Sequence, residues 1–135
     1  MEEISLIRKK VHDLNKRREA VIDWVLNTKP YIAAQVYQRY KKCGNPNCKC
    51  ARGELHGPFM WIYQKKKGQK VISTTITKGK TIEAEEMAKR YSKYLSFRQE
   101  IREIDQKINE LLNELEPLLE REVSEYVKRK EKAGE

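Results

Sequence analysis

All three cysteines of this 135-residue chain, and one of its two histidines, fall in one short run: Cys43-Gly-Asn-Pro-Asn-Cys48-Lys-Cys50, then His56-Gly-Pro. Three thiols and an imidazole are a complete tetrahedral ligand set for zinc. Gly44, Asn45 and Pro46 are residue types that turn a backbone sharply around an ion. The Cys43–Cys48 interval is ordinary ligand spacing, whereas Cys48-Lys49-Cys50 is tighter than the usual gap. An extended backbone resolves this, because alternate side chains then point the same way and both sulfurs reach one ion. His56 is the candidate fourth ligand. A cysteine-only site shared across a dimer, or a bound water, would also complete four-coordination. Three incidental thiols, or one disulfide and a spare, would leave the clustering without a cause. The expected cofactor is Zn²⁺.

The metal run lies in the most basic part of the protein. The chain carries a formal charge of +9. Between Tyr31 and Lys80 every acid but Glu54 is missing, while the flanking segments are close to balanced. Such an excess favours polyanionic partners. Arg39, Lys41, Lys42, Lys49, Arg52, Lys65, Lys66 and Lys67 are the candidate phosphate contacts, because affinity for nucleic acid is dominated by them. The bland alternative is a solubilising turn at Lys65-Lys66-Lys67 that blunts a sheet edge. Tyr37, Tyr40, Phe59, Trp61 and Tyr63 either stack on unpaired bases or form the core of a small sheet that has few other large apolar residues. No stretch approaches the roughly 20 apolar residues of a membrane span. Three thiols cannot all pair internally, and their lysine-rich surroundings favour thiolates, which points to the reducing cytoplasm.

Three segments follow from composition and periodicity. Residues 1–30 are an N-terminal helix over 2–28: Ile4, Ile7, Val11, Leu14, Val21 and Val25 step by three and four, interrupted by Arg18, and Pro30 ends it. Residues 31–80 are a basic β module. Its strands are expected around Val36–Tyr40, over Phe59–Tyr63 and over Val71–Thr77, with a Lys-Gly turn between the last two. Residues 81–135 are a long helix beginning at Thr81 as N-cap and running to about Glu116. Pro117 breaks it before a last amphipathic stretch, Leu118 to Tyr126, and a frayed charged tail.

The fold class expected is α+β: an antiparallel, coiled-coil-like helical hairpin carrying a three-stranded antiparallel sheet with a zinc knuckle. At 1.5 Å per residue the helices span about 40 Å and about 54 Å. If both meet the sheet at one end, residues 2–28 lie beside roughly 81–107, and the leucine-rich run from Ile108 to Leu119 overhangs. A second copy of the chain would cover that overhang, so a homodimer is expected. The monomeric alternative folds Leu118–Val127 back at Pro117.

Catalysis finds little support in the residues. A catalytic zinc needs an open position and a general acid or base nearby. Glu54 is the sole carboxylate in the segment, and it reads better as a solvated loop residue. His12 lies just off the helical seam and is given no role. No small-molecule substrate is evident and no enzyme is expected.

The stretch Cys43-Gly44…Cys48-Lys49-Cys50-Ala51-Arg52-Gly53-Glu54-Leu55-His56-Gly57-Pro58-Phe59 resembles a family of small bacterial and archaeal proteins that carry a domain of unknown function. Their pattern is C-G-x3-C-x-C-x2-G-x2-H-G-P followed by an aromatic. The match runs from Tyr40 to about Thr75. Phe59-Met60-Trp61 stands where the family often shows Tyr-Trp. The resemblance implies that Cys43, Cys48, Cys50 and His56 form one unit, and it implies no activity. More loosely, the aromatic hairpin is similar to the DNA-reading sheets of phage-type integrase arm-binding domains. The functional expectation is a non-enzymatic, zinc-containing nucleic-acid-binding protein, for DNA ahead of RNA. The alternative is a coiled-coil adaptor or accessory subunit of a protein complex.

Overall fold

The computed structural model describes residues 1–128. Two long helices bracket three strands: α1 (Glu2–Asn27), β1 (Gln35–Lys41), β2 (His56–Gln64), β3 (Ile72–Thr75) and α2 (Thr81–Leu119). The chain forms two compact units, one of Met1–Asp23 with the chain from Gln99, the other Trp24–Arg98. Each helix contributes a segment to each unit. Among the described residues, no helix is long and apolar enough to cross a membrane.

The first unit is an antiparallel helix pair. Its seam buries Ile7, Val21, Ile104 and Leu111, the apolar positions that a three-and-four periodicity places on one stripe. Arg18, which interrupts the seam, meets Asp105 at 2.5 Å. Beside it, Arg17 grips both carboxylate oxygens of Glu100 at 2.6 and 2.9 Å. That hydrogen bond holds the Glu100 carboxyl below the ordinary glutamate range, against the partial desolvation that would raise it. Nearer the start of α1, Glu3, Leu6 and Ile7 share a groove with Glu114 and Leu118. Val11 shares another with Ile108, Leu112 and Leu115.

These pairings correct the expected register. The first half of α1 lies beside the leucine-rich run, beyond the partner stretch of roughly 81–107 expected for the whole helix. Leu111 is 3% exposed within a single chain. The run therefore pairs with α1 of its own chain rather than overhanging it, although Leu112, Leu118 and Leu119 remain exposed. The cause lies in the connector after α1, within the second unit. Tyr31 packs on Tyr91 and Tyr94 at 5.2 and 5.0 Å between ring centroids. The Ile32 N–H donates to the Met87 carbonyl at 3.4 Å, and the Arg90 guanidinium donates to the Pro30 carbonyl. These residues occupy the flank of α2 that α1 was expected to fill. Trp24 meets Phe97 edge-on at 5.0 Å instead.

The end of α2 also differs from expectation. The helix passes through Pro117 and stops at Leu119. Proline lacks the N–H for the last turn and crowds the carbonyl before it, so continuation would need apolar anchoring that Glu120-Arg121-Glu122 cannot supply. Beyond it, among the described residues, lies only a 3-10 turn at Val123–Glu125, with Val123 and Tyr126 exposed. No last amphipathic helix forms there. The charged tail from residue 129 onward lies outside the described residues.

In the second unit β1, β2 and β3 form an antiparallel sheet in that order. Tyr37 stands opposite Trp61 and Trp61 opposite Thr75; Arg39 stands opposite Phe59. One face therefore carries Tyr37, Arg39, Phe59, Trp61 and Tyr63, and the other carries Val36, Met60 and Ile62, as strand alternation requires. None of these side chains is fully buried. The buried residues of this unit are Ala34, Ala88 and Cys50. The aromatics do not form a sheet core.

Candidate metal centre and the basic sheet

The knuckle begins where β1 ends. Cys43 follows Lys41 by two residues, and the Asn45 side chain then turns the chain, accepting from the Asn47 N–H at 2.9 Å. The Asn45 carbonyl accepts from the Cys48 N–H at 3.1 Å. Lys49–Arg52 winds into a 3-10 turn, closed by Gly53 at φ 111°. His56 then opens β2 directly across from Lys41. The extended Cys48-Lys49-Cys50 that the tight spacing suggested is not found. Cys48 is extended (φ −84°, ψ 149°), but Cys50 lies inside the 3-10 turn, and the turn is what brings its sulfur inward.

All four predicted ligands converge. The three Sγ atoms and a ring nitrogen of His56 lie within 4.8 Å of one another. Cys43 Sγ is 3.4 Å from Cys50 Sγ, and Cys48 Sγ is 3.0 Å from His56 Nε2. Zinc bonds of about 2.3 Å to sulfur and about 2.0 Å to nitrogen span a tetrahedron with edges of about 3.5–3.8 Å, so the observed separations bracket the required size. The cluster can hold a metal ion. The Cys43 N–H donates to Cys50 Sγ at 3.3 Å, which favours negative sulfur. Hydrogen bonds from the Asn45 backbone, then from Cys50 and His56, lower the Cys43 thiol to about 6. The Cys43 backbone draws Cys50 in the same direction, but burial and the adjacent sulfurs outweigh it and raise that thiol. At 1% exposure Cys50 is, with Val21, among the two most enclosed side chains described.

Gly57 was not singled out by spacing as a functional position, and the strand geometry explains it. Between Arg39 and Lys41 the β1–β2 register shifts. There a Cβ on Gly57 would meet the Arg39 carbonyl oxygen and Tyr40 Cδ1, each at 2.9 Å, from a backbone at φ +139°. The Gly57-Pro58 bond is cis. The crowding at the Gly57 Cβ position and the positive φ there mean that Gly57→Ala should displace His56 and cost on the order of 1–3 kcal/mol. Chemical denaturation of the metal-loaded variant against wild type measures that, and a difference below about 0.5 kcal/mol would contradict the crowding.

The eight predicted cationic residues are all exposed, and among the described residues none is ion-paired to a carboxylate. They do not form one cluster. Arg39, Lys41, Lys42, Lys49 and Arg52 gather at the knuckle end. Lys65, Lys66 and Lys67 follow the last residue of β2, in the turn at the opposite end of the sheet. The antiparallel register places them about 25–30 Å from His56, at about 3.3 Å per residue. Glu54, on the knuckle loop, is exposed. His12 belongs to the other unit, beside Val11 and Asn15.

The family model for a domain of unknown function, DUF6788, matches residues 10–88, more than half of the chain. The chain belongs to the DUF6788 family. No curated protein and no solved structure matches it. The DUF6788 match takes in the whole knuckle, all three strands and the first turns of α2, so the family region contains every residue of the candidate metal centre and all eight cations.

Proposed function

We propose that this DUF6788 protein is a non-enzymatic, zinc-containing nucleic-acid-binding protein of the cytoplasm, taking DNA ahead of RNA. Zinc is favoured among metals because three thiolates and an imidazole in a tetrahedral space suit it. The single observation that carries the nucleic-acid reading is the set of eight exposed cations, none ion-paired to a carboxylate among the described residues, at the two ends of a sheet with one acid in its whole segment. Two basic ends on one sheet let a single polyanion run along its length.

Salt dependence tests the reading. Phosphate contacts release counterions, so log K falls linearly with log salt, by about 0.9 per duplex phosphate neutralised. A slope of about −4 or steeper is expected on duplex DNA, with RNA as the comparison. Reversing Lys65, Lys66 and Lys67 to Glu should flatten that slope, as should reversing Lys42, Lys49 and Arg52. Affinity that ignores salt, or no binding at low salt, would refute the proposal. The adaptor alternative rests on the helices, whose first unit exposes Leu6, Leu112 and Leu118.

A further inference from the structure

The rings on one face of the sheet sit beneath cations rather than inside a core. The Arg39 guanidinium lies 4.6 Å from the centroid of the Trp61 ring. Lys41 Nζ lies 5.2 Å from the Phe59 ring and 5.9 Å from that of Trp61. Trp61 Nε1 donates to Ser73 Oγ at 2.8 Å, so the indole is tied across to β3. Tyr37, directly opposite Trp61, is 39% exposed. A sheet face left to water ordinarily alternates to polar residues. Here it carries large rings interleaved with positive charge.

We propose that this face binds single-stranded nucleic acid, with bases stacking on Trp61, Tyr37 and Phe59 and flanking phosphates taken by Arg39 and Lys41. The inference rests on the nucleic-acid reading above and narrows it. In a duplex the base faces are hidden in the stack, so the rings gain nothing there and only the cations make contact. An unpaired strand offers both chemistries at once: π faces for the rings and phosphates for the charges. Arg39 and Lys41 are exposed and carry their charges on long stems with several rotatable bonds, so a phosphate can draw them aside and open the ring faces they cover. Stacking is sequence-tolerant because every base has a π face, which predicts broad rather than sequence-specific binding.

Fluorescence anisotropy on the metal-loaded full chain decides it. The probes are a labelled thymidine oligomer of about 15 nucleotides and a duplex of the same length at the same salt. The oligomer should bind tighter than the duplex. Trp61→Ala and Tyr37→Ala should each weaken oligomer binding by about tenfold and duplex binding by less than about twofold. Trp61→Phe should restore most of the loss. Tyr37→Ala removes an exposed ring, so it remains informative if Trp61→Ala fails to fold, which circular dichroism reports. Wild-type oligomer affinity in the Tyr37→Ala protein, or tighter binding of the duplex than of the oligomer by the wild type, overturns the inference and leaves the broader reading intact. Absence of binding to either probe at low salt overturns both.

Discussion

Stripping the metal should unfold the knuckle end of the sheet while leaving most helical circular dichroism in place. Only Ala34, Cys50 and Ala88 are buried in the unit that contains the sheet, and two alanines cannot supply the hydrophobic free energy that a strand module needs. Structural zinc sites of this ligand type contribute about 10–16 kcal/mol in small peptides at neutral pH, because binding and folding are one process. The helix pair of the first unit has its own buried seam and does not depend on the ion. Chelation should therefore erase the β-sheet amide dispersion in NMR spectra and make all three thiols titratable. Cys50→Ser should do the same without a chelator. Elemental analysis of the untreated protein should find about one equivalent of zinc. A small fraction of an equivalent, or a sheet that survives chelation unchanged, would remove the metal from the account. Acid should act in the same direction. The Cys43 thiol, lowered from 9.0 to about 6 in the fold, favours the folded knuckle above its ordinary range. That contribution fades as pH falls through about 6, and protons also displace metal from every ligand.

Leu111→Lys should unfold the helix pair, not merely separate subunits. At 3% exposure Leu111 is enclosed by its own chain. Truncating such a leucine to alanine costs about 2–5 kcal/mol, and an unpaired ammonium in the same place costs more. The helical signal should fall or its melting temperature should drop steeply. Light scattering on the wild type should give a mass near the 16.0 kDa of one chain. A wild type of twice that mass, reduced to one chain by a Leu111→Lys protein that remains folded, would establish the dimer and contradict the intrachain burial of Leu111.

The elements were legible because local chemistry decides them. Three-and-four spacing marked α1 to within a residue, and β-branched and aromatic runs marked the strands. The four ligands were legible because cysteine is scarce in this chain and a cluster of it has few explanations. What the sequence hid was relative placement. The slip of α1 along α2 depends on Tyr31 stacking on Tyr91 and Tyr94, a contact between residues sixty apart that no periodicity encodes. Cys50 was placed in the right cluster for the wrong backbone, since C-x-C spacing is satisfied by a strand or by a 3-10 turn. Segment composition has no direction, so it does not separate the lysines of the β2–β3 turn from the cations at the metal end. Strand register alone separates them.

The position of the ligands along the two strands has a consequence for which side of the sheet faces a partner. Cys43 lies just past the end of β1, and His56 is the first residue of β2. An ion shared between them would act as a pin through two neighbouring rails, with Gly57 as the notch that lets the rails close. Sliding one strand by a single residue turns its side chains over to the opposite face. Tyr37 would exchange places with Val36 against Trp61, and the mixed aromatic and cationic surface would be divided between two sides. Coordination chemistry at one end of the sheet would thus specify the pattern of rings and charges presented along the rest of it.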